Sequence, residues 1–542
     1  MNREPVIAGG EPGVPRFGPV LAAITALALA LRLLAAARPL EVLDQWFVPD
    51  DTYYVLAIAR SLAEGLGPSA NGEILTSGFQ PLLAFLLVPV FAWTSGLEAP
   101  IRAALVLLGA CDAVNVALLG WLVCRWRGPA VGLLAAGLWA ISPIALDNAL
   151  GGLETALALT ALLALTALWL RHRERPSWRS ASLVGAAAGL ALLARVDTVF
   201  LVALLGLVEL CGRHRRYLSA IVAAAGAIVA PWWGYCIVRF GTLAPDSGAA
   251  AREVALAYQG DYLSPLSETL WATWTLIGPP FIELTGLRVS LYSLAGYQPA
   301  SAWIAGLAGL LLLAALYWWP VARVLRDLGA CERGPFAAFA AHGILIAAFY
   351  AYYVPVLWFF RRYTAPTAAV ATVLVAVAAT WAWRARAGWI GKMILALFGA
   401  GAVLALVGTG ERLLADPDIA ARSAVDGPTG YFAPTRELLA GVQRGSVVAG
   451  LQSGASSYLA PPEVTVHNLD GVVDRNAAKA FREGELGALL RERGVTHFLD
   501  WQLQRDMLAE RMGAEPVALK LAAEATVEQQ SGHRLRLWRV VR

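Results

Sequence analysis

Charge is scarce in this chain. Charged residues fill only 15% of its 542 positions and apolar residues fill 58%, whereas soluble proteins run nearer a quarter charged and half apolar. Mean hydropathy is +0.59. This excludes a soluble enzyme and a disordered chain, and leaves a polytopic membrane protein. Cysteine is sparse as well. Cys111, Cys124, Cys211, Cys236 and Cys331 lie in or beside apolar segments without paired spacing, so neither a disulfide framework nor a zinc site is read. The six histidines, His172, His214, His342, His467, His497 and His533, show no ligand spacing. A Walker pattern is missing, which argues against direct use of a nucleotide sugar. A net charge of +4 leaves no nucleic-acid footprint. Lysine is reduced to Lys392, Lys479 and Lys520, a usage expected of a GC-rich genome and compatible with a bacterial host.

Long apolar runs are what the chain does have. A helix needs about 20 mostly apolar residues to cross a bilayer. Eleven segments qualify, near 17–37, 101–124, 129–147, 152–171, 180–195, 197–212, 217–238, 302–319, 335–357, 364–383 and 388–408. The polar N-terminus leads into the first of them without a small-residue cleavage site, as in a signal anchor. Arginine clusters at 125–127, 171–179, 213–216, 323–333 and 384–386 all fall on one side if the N-terminus is cytoplasmic. That agreement requires 80–95, with Pro81 and Pro89, to be an interfacial helix rather than a span. A similar piece is expected over 268–298. Asp112, near Asn115 in the second span, is read as bonding to another helix. Arg32 is read as snorkelling to the interface.

The expected organisation is therefore a transmembrane domain over 1–408 and an extracytoplasmic α/β domain over 409–542. The latter is read from alternating stretches such as SVVAGL (446–451) and VTHFLDW (495–501), with helices near 476–493 and 503–512. The first outer loop, 38–100, is far longer than a connection needs to be, which makes it a functional suspect. At its centre stands VPDDTYYVLAIARSLAEGLG. Pro49, Asp50 and Asp51 mark a helix start, Val55, Ala59, Leu62 and Leu66 recur at helical spacing, and Gly65 and Gly67 mark the end. An amphipathic helix lying on the membrane face is expected. Acids at a helix N-terminus also suit the macrodipole. Placed directly after the first span, one carboxylate is suited to act as a general base and the other to orient an acceptor or hold a cation.

The string DDTYYVLAIARSLAEGLG, followed by TSGFQPLLAFLLVP, resembles the GT-C-fold glycosyltransferases. That family includes protein O-mannosyltransferases, the aminoarabinose transferase of lipid A and mycobacterial arabinofuranosyltransferases. Further matches are NALGGLETAL (148–157), LLARVDTV (192–199), RFGTLAPDSGAAA (239–251) and FFRRYTAP (359–366), with a looser one at VHNLDGVVD (466–474). Together they cover most of residues 40–370.

The resemblance implies a GT-C fold and an inverting transfer from a polyprenyl-phosphate sugar to a hydroxyl of a protein, lipid or cell-wall glycan. Membrane lipid is a further partner. Asp50 matches the first acid of the family pair and would be the base, with Asp51 supporting it. Arg361, Arg362 and Arg195 are the candidates for the leaving phosphate, because the guanidinium fork fits phosphate oxygens. Tyr363 would add a hydrogen bond. Tyr54, Glu154, Asp197 and Asp246 are placed around the acceptor. Arg361 and Arg362 could equally anchor a helix end, and Arg195 with Asp197 could cap a hairpin. A divalent cation stays open, since oligosaccharyltransferase relatives use one and monosaccharide transferases generally do not. The location implied is the bacterial cytoplasmic membrane. Two rivals remain: a transporter or lipid flippase, which predicts internal repeats and paired broken helices, and a non-catalytic glycan-binding scaffold.

Overall fold

The structure is a computed structural model that describes residues 17–243, 245–259, 330–354, 360–414, 430–514, 516–525 and 534–541. Its elements in chain order are α1 (Phe17–Ala36), α2 (Leu40–Trp46), α3 (Asp50–Ala63), α4 (Pro81–Trp93), α5 (Glu98–Arg127), α6 (Pro129–Ala140), α7 (Pro143–Leu150), α8 (Thr155–Glu174), α9 (Trp178–Ala194), α10 (Val199–Leu210), α11 (Leu218–Phe240) and α12 (Asp246–Gln259). After the undescribed stretch come α13 (Ala330–Ala348), α14 (Phe360–Tyr363), α15 (Ala365–Arg384) and α16 (Trp389–Leu414).

Six helices among the described residues are long and apolar enough to cross a membrane, or seven if the bent pair α6 and α7 is one span. The chain is a multi-pass membrane protein. The spans expected at 180–195 and 197–212 are the shorter α9 and α10, parted by the 3-10 turn Val196–Thr198. The one expected at 335–357 is α13 with a π-helical turn, Phe349–Tyr353. The expected pieces at 302–319 and 268–298 lie outside the described residues. The segment expected to be interfacial is α4, whose 13 residues reach only about 20 Å. Pro81 sits at its first turn, where the missing N–H costs nothing.

Helices α6 and α7 bend by 57° at Ile141 and Ser142, because Pro143 cannot continue α6. The break frees carbonyls inside the bundle. Arg32 serves them: its guanidinium donates to the carbonyl oxygens of Ala140 and Trp139 and pairs with Asp112 at 2.7 Å. Asp112 also accepts from the Trp139 indole. The expected snorkelling of Arg32 is thus corrected, for the side chain is fully buried. The expected interhelical role of Asp112 is what the structure has.

Arginines gather at one end of the bundle, with Arg125 and Arg127 closing α5, Arg171 and Arg173 closing α8, and Arg384 closing α15. Arg125 meets Glu174, and Arg173 meets Glu209, at the end that also gathers exposed Trp178, Trp383 and Trp389. The opposite end carries Asp51, Glu154, Arg195 and Arg362, and on it sits the C-terminal domain.

That domain is a five-stranded sheet in the order β2-β1-β3-β5-β4. Its strands are β1 (Val447–Gly450), β2 (Thr465–Asn468), β3 (His497–Asp500), β4 (Ala518–Glu524) and β5 (Arg536–Val541), and its helices are α17 (Phe432–Ala440), α18 (Gly454–Leu459), α19 (Arg475–Glu483), α20 (Leu486–Glu492) and α21 (Gln502–Glu510). Strands β1, β2 and β3 are parallel, while β5 runs antiparallel to both β3 and β4. Side chains alternate between two cores, as the two-residue period of a strand requires. Ala449, Phe498 and Trp538 face the domain's own helices. Val448, Leu499 and Leu537 join Tyr53, Leu56 and Leu83 of the first loop in one continuous core.

Candidate active site

The acidic helix α3 begins where Pro49 holds the backbone extended, and it ends before Gly65 and Gly67, which adopt positive φ. This matches the sequence expectation. Its setting does not. Ten of its 14 residues are buried, including Thr52, Tyr53 and Tyr54, so α3 is not an amphipathic helix lying open on a membrane surface. The C-terminal domain covers it, and that cover comes from residues about 400 positions away.

A helix turns 100° per residue, so Asp50 and Asp51 point in different directions. Asp50 faces the C-terminal domain. Its two carboxylate oxygens accept the backbone N–H groups of Gly454 and Ala455, each at 2.8 Å. One turn on, Tyr54 donates to or accepts from Ser453 Oγ at 3.0 Å and accepts from Ser453 N and Asn468 Nδ2. Arg60 then donates to the carbonyls of Ser457 and Tyr458. The short α18 is therefore gripped at its N-terminus by an acid and at its C-terminus by an arginine, each against the end of the dipole that suits it. Asp44 on α2 adds a fourth bolt by accepting the Phe432 N–H. Arg60 belongs to the DDTYYVLAIARSLAEGLG string and Asn468 to the looser VHNLDGVVD match.

Glycines allow the close approach. A Cβ on Gly454 would overlap the Asp50 carbonyl, and one on Gly78 of the TSGF string would overlap the Val472 carbonyl. Gly152, in the GG turn, has φ +67° and abuts Thr52, whose hydroxyl donates to the Gly151 carbonyl.

The docking place is telling. In an open parallel sheet, ligands settle at the carboxyl ends of the strands where the strand order reverses. Here β1 lies between β2 and β3, and the segment after β1 receives Asp50. The domain's natural crevice is filled by the chain's own acidic helix. Burial pushes the Asp50 carboxyl up to about 7, against the pull of the Ala455 and Gly454 N–H groups. Burial likewise lifts Asp44 and Asp470 to about 7.

Asp51 faces the bundle. Arg362 donates from both terminal nitrogens to Asp51 Oδ2, each at 3.0 Å, and also to the Tyr363 hydroxyl. The Asp51 side chain is 28% exposed, whereas Asp50 is 6% exposed. Oδ1 of Asp51 takes no hydrogen bond among the described residues. Tyr363 stacks on Tyr350 with ring centroids 4.0 Å apart, and the Arg195 guanidinium lies 4.9 Å from the Tyr363 ring.

Arg195 ends α9, and the turn after it folds Asp197 back onto it. Its nitrogens reach Asp197 through Nε and Nη2, Glu154 through Nη1, and the Tyr350 hydroxyl through Nη2. Tyr350 in turn donates to Asp197 Oδ2 at 2.6 Å. It stands in the π-helical turn, a bulge often found at functional sites, and the sequence reading did not single it out. Arg195, Asp197, Arg362 and Tyr363 line a small, partly open cavity. Leu159, Leu162 and Pro366 make its apolar wall.

The expected residues thus fall into two sets. Asp51, Arg362, Tyr363, Arg195, Glu154 and Asp197 form one connected constellation. Asp50 and Tyr54 bind the C-terminal domain. Asp246 accepts from Ser77 and lies near Arg475, and no hydrogen bond or ion pair joins it to the first set among the described residues. Arg361 belongs to α14, but its side chain lies outside the described residues. No group of three or more His, Cys, Asp or Glu that could hold a metal ion occurs among the described residues.

No protein-family model and no curated protein matches this chain. Solved structures do resemble it. The Archaeoglobus fulgidus oligosaccharyltransferase in complex with zinc and sulfate is similar at 13% identity and a TM-score of 0.49, over 89% of this chain and 67% of that one. The same transferase tethered to an acceptor peptide is similar at 12% identity and 0.49, over 96% and 74%. ArnT from Cupriavidus metallidurans bound to undecaprenyl phosphate is similar at 16% identity and 0.46, over 97% and 98%. Both proteins are glycosyltransferases of the GT-C fold.

Proposed function

We propose that this chain is a membrane glycosyltransferase that moves a sugar from a polyprenyl-phosphate donor to an acceptor hydroxyl. The observation that carries the reading is the meeting of Asp51 with Arg362 across 311 residues. It joins an acid with one oxygen open to a guanidinium that lines an amphipathic cavity. A base and a phosphate-binding group side by side are what such a transfer needs. The apolar wall suits a prenyl chain, and the cationic wall suits its phosphate.

The base is assigned to Asp51 rather than to Asp50, which the motif order favours, because both Asp50 oxygens already accept backbone N–H groups. Asp51 Oδ1 takes the proton as the acceptor oxygen bonds the anomeric carbon. The bond from that carbon to the phosphate oxygen breaks, and its electron pair leaves with the phosphate. One displacement inverts the anomeric centre. Arg362 meets the growing phosphate charge, and Arg195 and Tyr363 hold the wall in shape. The arginine clusters at the opposite end support a cytoplasmic N-terminus and an extracytoplasmic site in a bacterial cytoplasmic membrane. Acceptor classes remain protein, lipid and cell-wall glycan.

The experiment is transfer by purified protein in lipid, offered radiolabelled polyprenyl-phosphate sugars and a membrane extract. Transfer by wild type that is lost in Asp51→Asn supports the reading. Absence of transfer from every donor, together with absence of polyprenyl-phosphate binding, overturns it.

A further inference from the structure

Two guanidiniums face three carboxylates in the Asp51 constellation: Arg195 and Arg362 against Asp51, Glu154 and Asp197. These five groups carry no surplus positive charge for an incoming phosphate. Among the described residues of this cluster, an entering anion takes a guanidinium from a carboxylate. Arg195 is held through three nitrogens by two acids and is 6% exposed. Arg362 meets Asp51 through two nitrogens converging on one oxygen, and the pair is partly exposed. Arg362 also lines the cavity, which Asp51 does not. It stands as the partition between the two.

We propose that donor phosphate and Asp51 compete for Arg362, so that binding of the lipid phosphate releases Asp51 to act as base. This rests on the transferase reading above. Before the donor arrives, Asp51 Oδ2 is tied to both terminal nitrogens of Arg362. Once phosphate claims the guanidinium, the whole carboxylate is free to take the proton of the hydroxyl it serves. When Asp51 has taken the proton it is neutral, and the phosphate it no longer rivals has gained a charge. Arg362 thus follows the negative charge across the site, and the enzyme holds an armed base only when a donor is in place.

The test is binding, not turnover. Undecaprenyl phosphate is titrated into the full-length protein in nanodiscs, with undecaprenol and inorganic phosphate as separate arms. Wild type is compared with Asp51→Asn, Arg362→Lys, Arg362→Gln and the Asp51→Asn/Arg362→Gln double variant. Loss of the competitor in Asp51→Asn is expected to tighten binding of undecaprenyl phosphate by about five-fold, the worth of a partly exposed ion pair. Undecaprenol binding should not change. In the Arg362→Gln background the Asp51→Asn gain should vanish, and Arg362→Lys should bind more weakly than wild type yet retain that gain in part. Wild type that binds undecaprenyl phosphate while Asp51→Asn binds it equally or more weakly overturns the competition alone. Wild type that binds no undecaprenyl phosphate overturns the transferase reading with it. A gain seen equally with free phosphate and without the prenyl chain would still uphold the competition, but would place the anion's recognition in the headgroup only.

Discussion

The carboxylate of Asp50 and the backbone N–H of Gly454 lie 2.8 Å apart across 404 residues of sequence. Two neighbouring acids therefore have separable duties, and their amides should fail differently. In Asp50→Asn the amide can accept only one of the two N–H groups and turns a donor toward the other, which costs about 1–3 kcal/mol. Asp51→Asn removes a partly exposed pair worth about 0–1 kcal/mol. Thermal unfolding of the purified variants should show a drop for Asp50→Asn and little change for Asp51→Asn. Transfer should fall by about 10²–10⁴ in Asp51→Asn. An Asp50→Asn protein that melts like wild type yet transfers nothing would return the base role to Asp50.

Acid should strengthen the docking of the C-terminal domain. Asp44, Asp50 and Asp470 titrate near 7 in the folded chain and near 3.8 in the unfolded one, burial being the main cause. Between those values the folded state holds more protons, so stability falls as pH rises. It is fully present below about 4 and lost on passing 7. Melting curves from pH 5 to pH 8 should show a decline of several degrees. Asp470→Asn keeps the turn bond to the Val472 N–H and removes one titrating group, so its decline should be shallower. A melting temperature that rises with pH would contradict this account.

Glycine substitutions should sort by surroundings. Gly454→Ala and Gly78→Ala put a methyl into a carbonyl oxygen of the docked helix or loop, and an overpacked site of this kind costs about 1–3 kcal/mol. Gly137→Ala on α6 meets nothing within 4 Å and should be neutral or stabilising, since alanine is the better helix former by about 1 kcal/mol. Equal melting temperatures for all three would show that the domain is not seated as described.

The buried pair of Arg32 and Asp112 should resist replacement by apolar groups. Many buried pairs can be exchanged for hydrophobic side chains at no loss. Here Arg32→Met with Asp112→Leu would also strand the Ala140 carbonyl at the helix break. Both the single variants and the double variant should lower the yield of folded protein after membrane extraction. A double variant that recovers wild-type yield would mean that water serves the break instead.

The local features of the site were legible in the sequence and its assembly was not. The start of α3 at Pro49, its end at Gly65, the helix at 81–93 and strands β1 and β3 all follow from turn residues and periodicity, which act over a few positions. The motif strings brought Glu154, Arg195, Asp197 and Arg362 into consideration together. What could not be read was direction. Nothing in DDTYY says that Asp50 points to Gly454 while Asp51 points to Arg362, because that depends on how α3 is rotated between two surfaces. The burial of α3, the Arg60 grip and the part of Tyr350 were missed for the same reason. Strand β2, as short as β1 and β3, was missed because its residues TVHN bury the polar His467 and Asn468 and so lack an apolar alternation, and Arg32 was misread because its partners are carbonyls exposed by a bend in a different helix.

The grip of the C-terminal domain on α3 has a consequence for how the protein is made. A ribosome adding about 5–20 residues each second needs about 20–80 s to travel from Asp50 to Gly454. For that interval the acidic helix is at the membrane with its first membrane helix inserted and its partners unborn. Its carboxylates, tyrosines and Arg60 must be satisfied by water. The sheet that replaces the water is closed by β5, at residues 536–541. A nascent chain is thus a membrane protein long before it has an assembled site, and β5, whose Leu537 joins the core shared with α3, is translated after every residue that grips the helix.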